Sequence, residues 1–214
     1  MLGPASTRGP GPASRGGYLP ICRRLAEVLA WPGVVLVYGA AGVGKTTLAL
    51  EFIKDYCSSK CLFVPTEGLE FIHRAEQMRI DTSRINVYEA LWHTDFLELL
   101  AHKSLALYDI VVVDSVNAFV RLDAQKAYDV TLLLSAALYK LSEDYGVPVV
   151  ETAQVHSVDD SYEPVAVKGL TMWSHNIIRL DYISPGHRRL SVEKPDALEL
   201  EFRIGEGGIE WLNC

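Results

Sequence analysis

The chain has 214 residues, 49% of them hydrophobic, and its 20 basic side chains against 27 acidic ones leave a formal net charge of -7. That length suits one α/β domain with a full core, and no apolar stretch is long enough to cross a membrane or act as a secretory signal, so a cytoplasmic protein is expected. The acidic balance disfavours a strong nonspecific grip on nucleic acid, which needs a basic surface, though it leaves room for a local basic patch.

Residues 1–17 are rich in Gly, Pro, Ala and Ser and carry Arg8 and Arg15 with no acid. Such a segment buries too little apolar surface to offset its ordering entropy, so it reads as a mobile tail whose arginines could help hold an anionic partner such as DNA. Residues 18–214 read as the folded domain. Ile21, Leu25, Val28 and Leu29 predict a short amphipathic helix within Pro20–Ala30. Val34–Tyr38 is an apolar, β-branched run that predicts a buried strand.

Gly39, Ala40, Ala41, Gly42, Val43, Gly44, Lys45 and Thr46 follow it and fit G-x-x-x-x-G-K-[ST], the phosphate-binding loop. Glycines let successive N–H groups converge on phosphate oxygens, and the helix that begins beside Thr47 adds the positive end of its dipole. Lys45 can reach the β- and γ-phosphates and the Thr46 hydroxyl can sit on Mg²⁺. With a strand before and a helix after, the motif predicts a nucleoside triphosphate ligand.

Cys57 and Cys61 lie four apart near the end of that helix. No second close Cys/His pair accompanies them, which excludes a zinc site, and ordinary thiols are expected. A disulfide would suit an oxidising compartment or a hyperthermophile. Cys61–Val64 predicts a second strand, Phe71–Met78 a helix, Asn86–Tyr88 a short strand and Asp95–His102 a helix. Asp109–Val113 is the most apolar run and predicts a central parallel strand. Ala127–Tyr145 then reads as a long helix and Val147–Thr152 as another core strand. Alternating strands and helices imply βαβ units and a mostly parallel α/β sheet flanked by helices. Past Leu170, His175–Tyr182 and His187–Val192 flank a Ser-Pro-Gly turn, so an antiparallel hairpin is expected to complete the sheet edge, with Leu198–Ile204 and Ile209–Trp211 after it.

Three polar residues fall at the C-terminal ends of predicted strands, where open α/β sheets place their ligands. Asp114 ends the Asp109–Val113 run, and four apolar residues followed by an acid form a metal-binding strand end. Asp109, at the other end of that strand, reads as structural. Glu67 lies beyond the Cys61–Val64 strand, where a carboxylate could polarise an attacking water. Gln154 follows Val147–Thr152, where an amide could read the γ-phosphate.

The ordered set of Thr66-Glu67-Gly68, Val112-Val113-Asp114-Ser115, Ala153-Gln154-Val155 and the closing Phe202-Arg203-Ile204 to Gly208-Ile209 resembles the RecA/RadA recombinase ATPase core, and most of all its archaeal RadB branch and related RadA paralogues. The resemblance runs from about Val34 to Trp211. It implies a RecA-like P-loop fold with ATP and Mg²⁺ as cofactors, Glu67 as catalytic base, Gln154 coupling ATP to a DNA-binding loop, and Arg74 stacking on adenine. The family's first DNA loop would fall near Arg121–Lys126 and the second at His156–Gly169, where Asp159, Asp160 and Glu163 repel a DNA backbone. Lys194 is the one counterpart of the basic residues that reach a neighbouring subunit's ATP. No N-terminal DNA-binding domain or polymerisation linker precedes Tyr18. The resemblance therefore implies a recombination and repair accessory protein with slow ATP turnover, weak DNA contact, and a RadA-type recombinase or other repair protein as partner. The alternative is an ATP-switched protein-binding module, a recombinase mediator or a KaiC-like signalling ATPase.

Overall fold

The computed structural model describes residues 21–90, 92–118, 124–158, 161–164 and 167–214. The tail of residues 1–17 and Arg121 lie outside them. After a short helix α1 (Arg23–Val28), the chain alternates β1 (Val34–Gly39), α2 (Lys45–Tyr56), β2 (Cys61–Pro65), α3 (Glu70–Gln77) and β3 (Ile85–Val87). It continues through α4 (His93–Leu100), β4 (Val111–Asp114), α5 (Ala124–Tyr145) and β5 (Val149–Val158). Strands β1, β2, β4 and β5 are parallel, in the spatial order β1-β5-β4-β2, with β3 beyond β2 at one edge.

The buried strands alternate their side chains between two cores. On β1, Val35 and Val37 join a core with Leu48, Phe52 and Phe63, while Val34, Leu36 and Tyr38 join one with Phe96, Leu134 and Leu138. Helices α2 and α3 thus cover one face of the sheet and α4 and α5 the other. That two-faced burial explains why these strands read as continuous apolar runs.

The C-terminal part forms the expected antiparallel hairpin and carries it on to the sheet edge. Strand β7 (Asn176–Ser184) lies beside β1 and parallel to it, and only then do β8 (His187–Lys194), β9 (Leu198–Gly205) and β10 (Gly208–Trp211) continue as an antiparallel meander to the edge. A difference concerns the segment expected to be the second loop, from His156 to Gly169. Strand β5 runs on to Val158 and pairs antiparallel with β6 (Ser161–Pro164), and α6 (Val167–Met172) follows. The backbone pairing there satisfies N–H and C=O groups that a loop would leave to water.

The cysteines also depart from expectation. Cys57 is bonded to Cys61, and Cys22 to Cys214, the latter pair with Cα atoms 5.6 Å apart and 192 residues apart in sequence. The second bridge ties α1 to the chain's last residue. In the oxidised protein Cys22→Ser should cost about 3–5 kcal/mol, because closing so long a loop restricts the unfolded chain. Urea unfolding of both proteins checks this: the gap should collapse once both are reduced, and an equal gap under reductant would trace the loss to packing instead.

Candidate functional site

Register brings the site together. Gly39 at the end of β1 pairs with Gln154 on β5, and Pro65 at the end of β2 pairs with Asp114 at the end of β4. Each functional residue therefore arrives at one rim of the sheet. Between β1 and α2 the loop closes on Gly44, whose φ of 111° is left-handed and whose added Cβ would stand 2.6 Å from Ile204 Cδ1. Only glycine satisfies both demands. Beyond β2, Gly68 at φ 118° swings the chain away just after Glu67.

These elements line a cavity of about 580 Å³, bounded by Gly42, Gly44, Lys45, Thr46 and Thr47 of the loop together with Glu67, Arg74, Asp114 and Gln154. Lys45 is buried, and its Nζ donates to the carbonyls of Gly39 and Ala40 at 2.9 and 3.0 Å. Burial pushes this ammonium below its ordinary pKa, against the pull of Asp114 and Glu67. A desolvated cation on a loop of converging amides is built to receive an anion.

Asp114 holds two hydroxyls. Thr46 Oγ1 donates to its Oδ2 at 2.6 Å, and Thr152 Oγ1 donates to Oδ1. A carboxylate beside a hydroxyl is the hard-oxygen set that suits Mg²⁺. Across the cavity, Gln154 Nε2 donates to Glu67 Oε2 at 2.5 Å, joining the two strand-end groups directly. The Asp114–Ser115 peptide is cis, and Thr66 Oγ1 brackets it by donating to Ser115 O at 2.9 Å and accepting from Ser115 N at 2.8 Å.

Arg74 sits at the far end of the cavity. Its Nε donates to Thr47 Oγ1 at 3.3 Å and its terminal nitrogens donate to the carbonyls of Gly205 and Glu206 in the β9–β10 turn. Lys194 is not in this cavity: its Nζ donates to Ser174 O at 2.5 Å, at the opposite rim of the sheet. Asp109 caps the α2–β2 turn, accepting from the N–H groups of Ser58 and Ser59 at 2.9 and 2.5 Å. That placement matches the structural role expected for it.

Sequence reading missed three participants. Thr152 grips Asp114, and its one cue is a polar side chain within an apolar strand. Asn117 exchanges hydrogen bonds with the Gln154 backbone, donating to its carbonyl at 2.8 Å and accepting from its N–H at 2.9 Å. It fixes Gln154 to the segment just after β4. Arg188, on β8, lines the cavity, and no local pattern marks it.

Comparison with known proteins gives a consistent picture. A family model described as an AAA domain matches residues 32–131. The chain is 28% identical over 209 residues to the DNA repair and recombination protein RadB of Methanocaldococcus jannaschii, covering 87% of this chain and 98% of that protein. It is 30% identical over 207 residues to RadB of Halobacterium salinarum, covering 83% and 86%. Among solved structures, a RadB recombinase is similar with a TM-score of 0.66 and 27% identity, over 86% of this chain and 93% of that one. A KaiC-like protein of Pyrococcus horikoshii OT3 is similar with a TM-score of 0.68 and 20% identity, over 85% and 90%, a likeness of fold. Among the described residues no helix is long and apolar enough to cross a membrane.

Proposed function

Because the chain belongs to the RadB family of DNA repair and recombination proteins, we propose that it is a RecA-fold ATPase acting in recombination and repair. The observation that carries the reading is one cavity that gathers the Gly39–Thr46 loop, the Thr46–Asp114 pair and the Glu67–Gln154 pair. The loop amides and Lys45 hold the triphosphate of ATP. Thr46 and Asp114 are the residues that would hold Mg²⁺, which supplies charge neutralisation on the phosphate oxygens. Glu67 accepts a proton from the attacking water, and Gln154 senses the terminal phosphate. Arg74 lies against the base end, where its planar guanidinium suits stacking on adenine.

Thr152 has a positioning role: it holds the carboxylate of Asp114 from the side opposite Thr46. Asn117 does the same for the Gln154 backbone, so a shift at Gln154 is felt both in β5 and in the segment after β4. Strand β5 continues from Gln154 into the β5–β6 hairpin, which gives the nucleotide a mechanical route to that surface. This continuity favours a second reading, in which ATP acts mainly as a switch for a RadA-type recombinase or another protein partner. DNA contact through the Arg121 segment and the basic tail belongs to the first reading.

ATP hydrolysis with Mg²⁺, measured with and without single-stranded DNA, tests the proposal. Lys45→Ala should lower turnover by about 10²–10³-fold, the usual loss when a positioned cation on developing charge is removed. Wild-type turnover no greater than that of Lys45→Ala would sink the ATPase reading and leave the switch, for which ATP-dependent capture of the partner is the direct assay.

A further inference from the structure

The cavity holds a cation that the roles above leave unused. Arg188 is the second residue of β8 in the β7–β8 hairpin. Because β7 runs parallel to β1, its C-terminal end and the turn after it arrive at the same rim as the phosphate-binding loop. Tyr182 Oη, on that end, donates to the Ala41 carbonyl at 3.3 Å, and a Cβ added at Gly42 would stand 3.0 Å from the same oxygen. The guanidinium of Arg188 lies over the Tyr182 ring, 5.3 Å from its centroid. Ring and loop thus form a platform that carries a positive charge.

The charge is unusually unspent. Arg188 Nε is buried with no hydrogen-bond partner, and one terminal nitrogen makes only a long 3.5 Å bond to Gly186 O. Nearby arginines are paired: Arg189 faces Glu199 at 3.8 Å and Arg179 holds Asp181 at 3.0 Å. Arg188 has no acid in ion-pair range among the described residues. A buried guanidinium N–H without an acceptor costs stability, so a site that keeps one is arranged for an acceptor that comes from outside.

The loop itself tells which end of a nucleotide would meet it. Lys45 Nζ, which reaches β- and γ-phosphates in such loops, lies at the carbonyls of Gly39 and Ala40, next to the Ala41 that Tyr182 touches. Arg74, by contrast, lies at Thr47, toward the base end. We propose that Arg188 is a phosphate-binding residue supplied by the same chain, held by Tyr182 over the terminal phosphate of a nucleoside triphosphate. This assignment rests on the reading of the cavity as a triphosphate site. Its cation–π seat leaves terminal N–H groups of the guanidinium to meet phosphate oxygens, where a planar guanidinium can engage two at once.

Calorimetric titration with ADP and with a non-hydrolysable ATP analogue, both with Mg²⁺, tests it on wild type, Arg188→Gln and Arg188→Lys. Arg188→Gln should weaken the ATP analogue by roughly tenfold to a hundredfold, the range for a charge-assisted hydrogen bond, and ADP by less than about threefold. Arg188→Lys should fall between, since an ammonium keeps the charge and loses the fork. Equal losses on both nucleotides, or none on either, overturn the assignment while the cavity reading survives, with Lys45→Ala losing both ligands as the control. Wild type that binds neither nucleotide overturns both together. Should Arg188→Gln fail to fold, Arg188→Lys carries the same test, and its indifference to the third phosphate is the overturning result.

Discussion

Glu67→Gln should slow Mg²⁺-dependent ATP hydrolysis by about 10²–10⁴-fold, the span over which a positioned general base contributes. Nucleotide affinity should stay within about threefold of wild type, because the charge-assisted phosphate contacts come from the loop and Lys45 instead. Glu67 stands just past the end of β2, on a chain that Gly68 turns away at once, so its carboxylate is presented to the cavity and not to the sheet. Its Oε2 accepts from Gln154 Nε2, which orients one oxygen and draws the carboxylate toward β5. The substitution keeps the side chain's length and its exposed setting, so folding should be unaffected; what it removes is the proton acceptor. Single-turnover phosphate release, alongside equilibrium binding of ATP, separates the two quantities. Unchanged release would move the base elsewhere in the cavity, and loss of binding in step with release would make Glu67 a ligand-holding residue.

Legibility of the site divides along a physical line. The loop from Gly39 to Thr46 and the acid at Asp114 were readable because each is a local pattern: a spacing of glycines, or an apolar run that stops on a carboxylate. The parallel sheet was readable because β1, β4 and β5 are buried on both faces and cannot alternate. Thr152, Asn117 and Arg188 were not, because each acts across a strand pairing whose register no local pattern states. Thr152 meets Asp114 from the neighbouring strand, 38 residues away, and Arg188 comes to the cavity from β8, which pairs with β7. Strand β6 was hidden for a different reason. Ser161–Pro164 is only four residues long and carries an acid and a proline, so its composition does not signal the backbone pairing with β5. The bridge from Cys22 to Cys214 spans nearly the whole chain, and spacing is silent on such a pair.

The steepest pH dependence of stability should come from a buried acid that plays no part in the proposed chemistry. Glu151 lies on β5 between that strand and the segment joining α6 to β7, fully buried, and burial pushes its carboxyl up from 4.5 to about 7. Ser135 Oγ donates to its Oε2 at 2.9 Å, while Oε1 lies 3.3 Å from Ser174 Oγ. The Ser174 hydroxyl already donates to Leu170 O at 2.6 Å, and a hydroxyl has one proton. The neutral acid resolves the arrangement: it accepts from Ser135 and donates to Ser174. The folded state therefore holds a proton that the unfolded chain releases near pH 4.5, so stability is full below that value and falls as pH rises toward about 7. The gap corresponds to about 3 kcal/mol once the folded-state value is passed. Glu151→Gln mimics the neutral acid, with an amide that accepts from Ser135 and donates to Ser174 at any pH. Chemical unfolding at about pH 5 and about pH 8 should find the variant close to wild type at the lower value and about 2–3 kcal/mol more stable at the higher one. Asp55, which burial raises to about 6, and Glu51, also raised by burial, tilt the wild-type curve in the same sense. Both are untouched by the substitution, so the difference between the two proteins isolates Glu151, and parallel curves would mean that its carboxyl is ionised in the folded chain and held by hydroxyls alone.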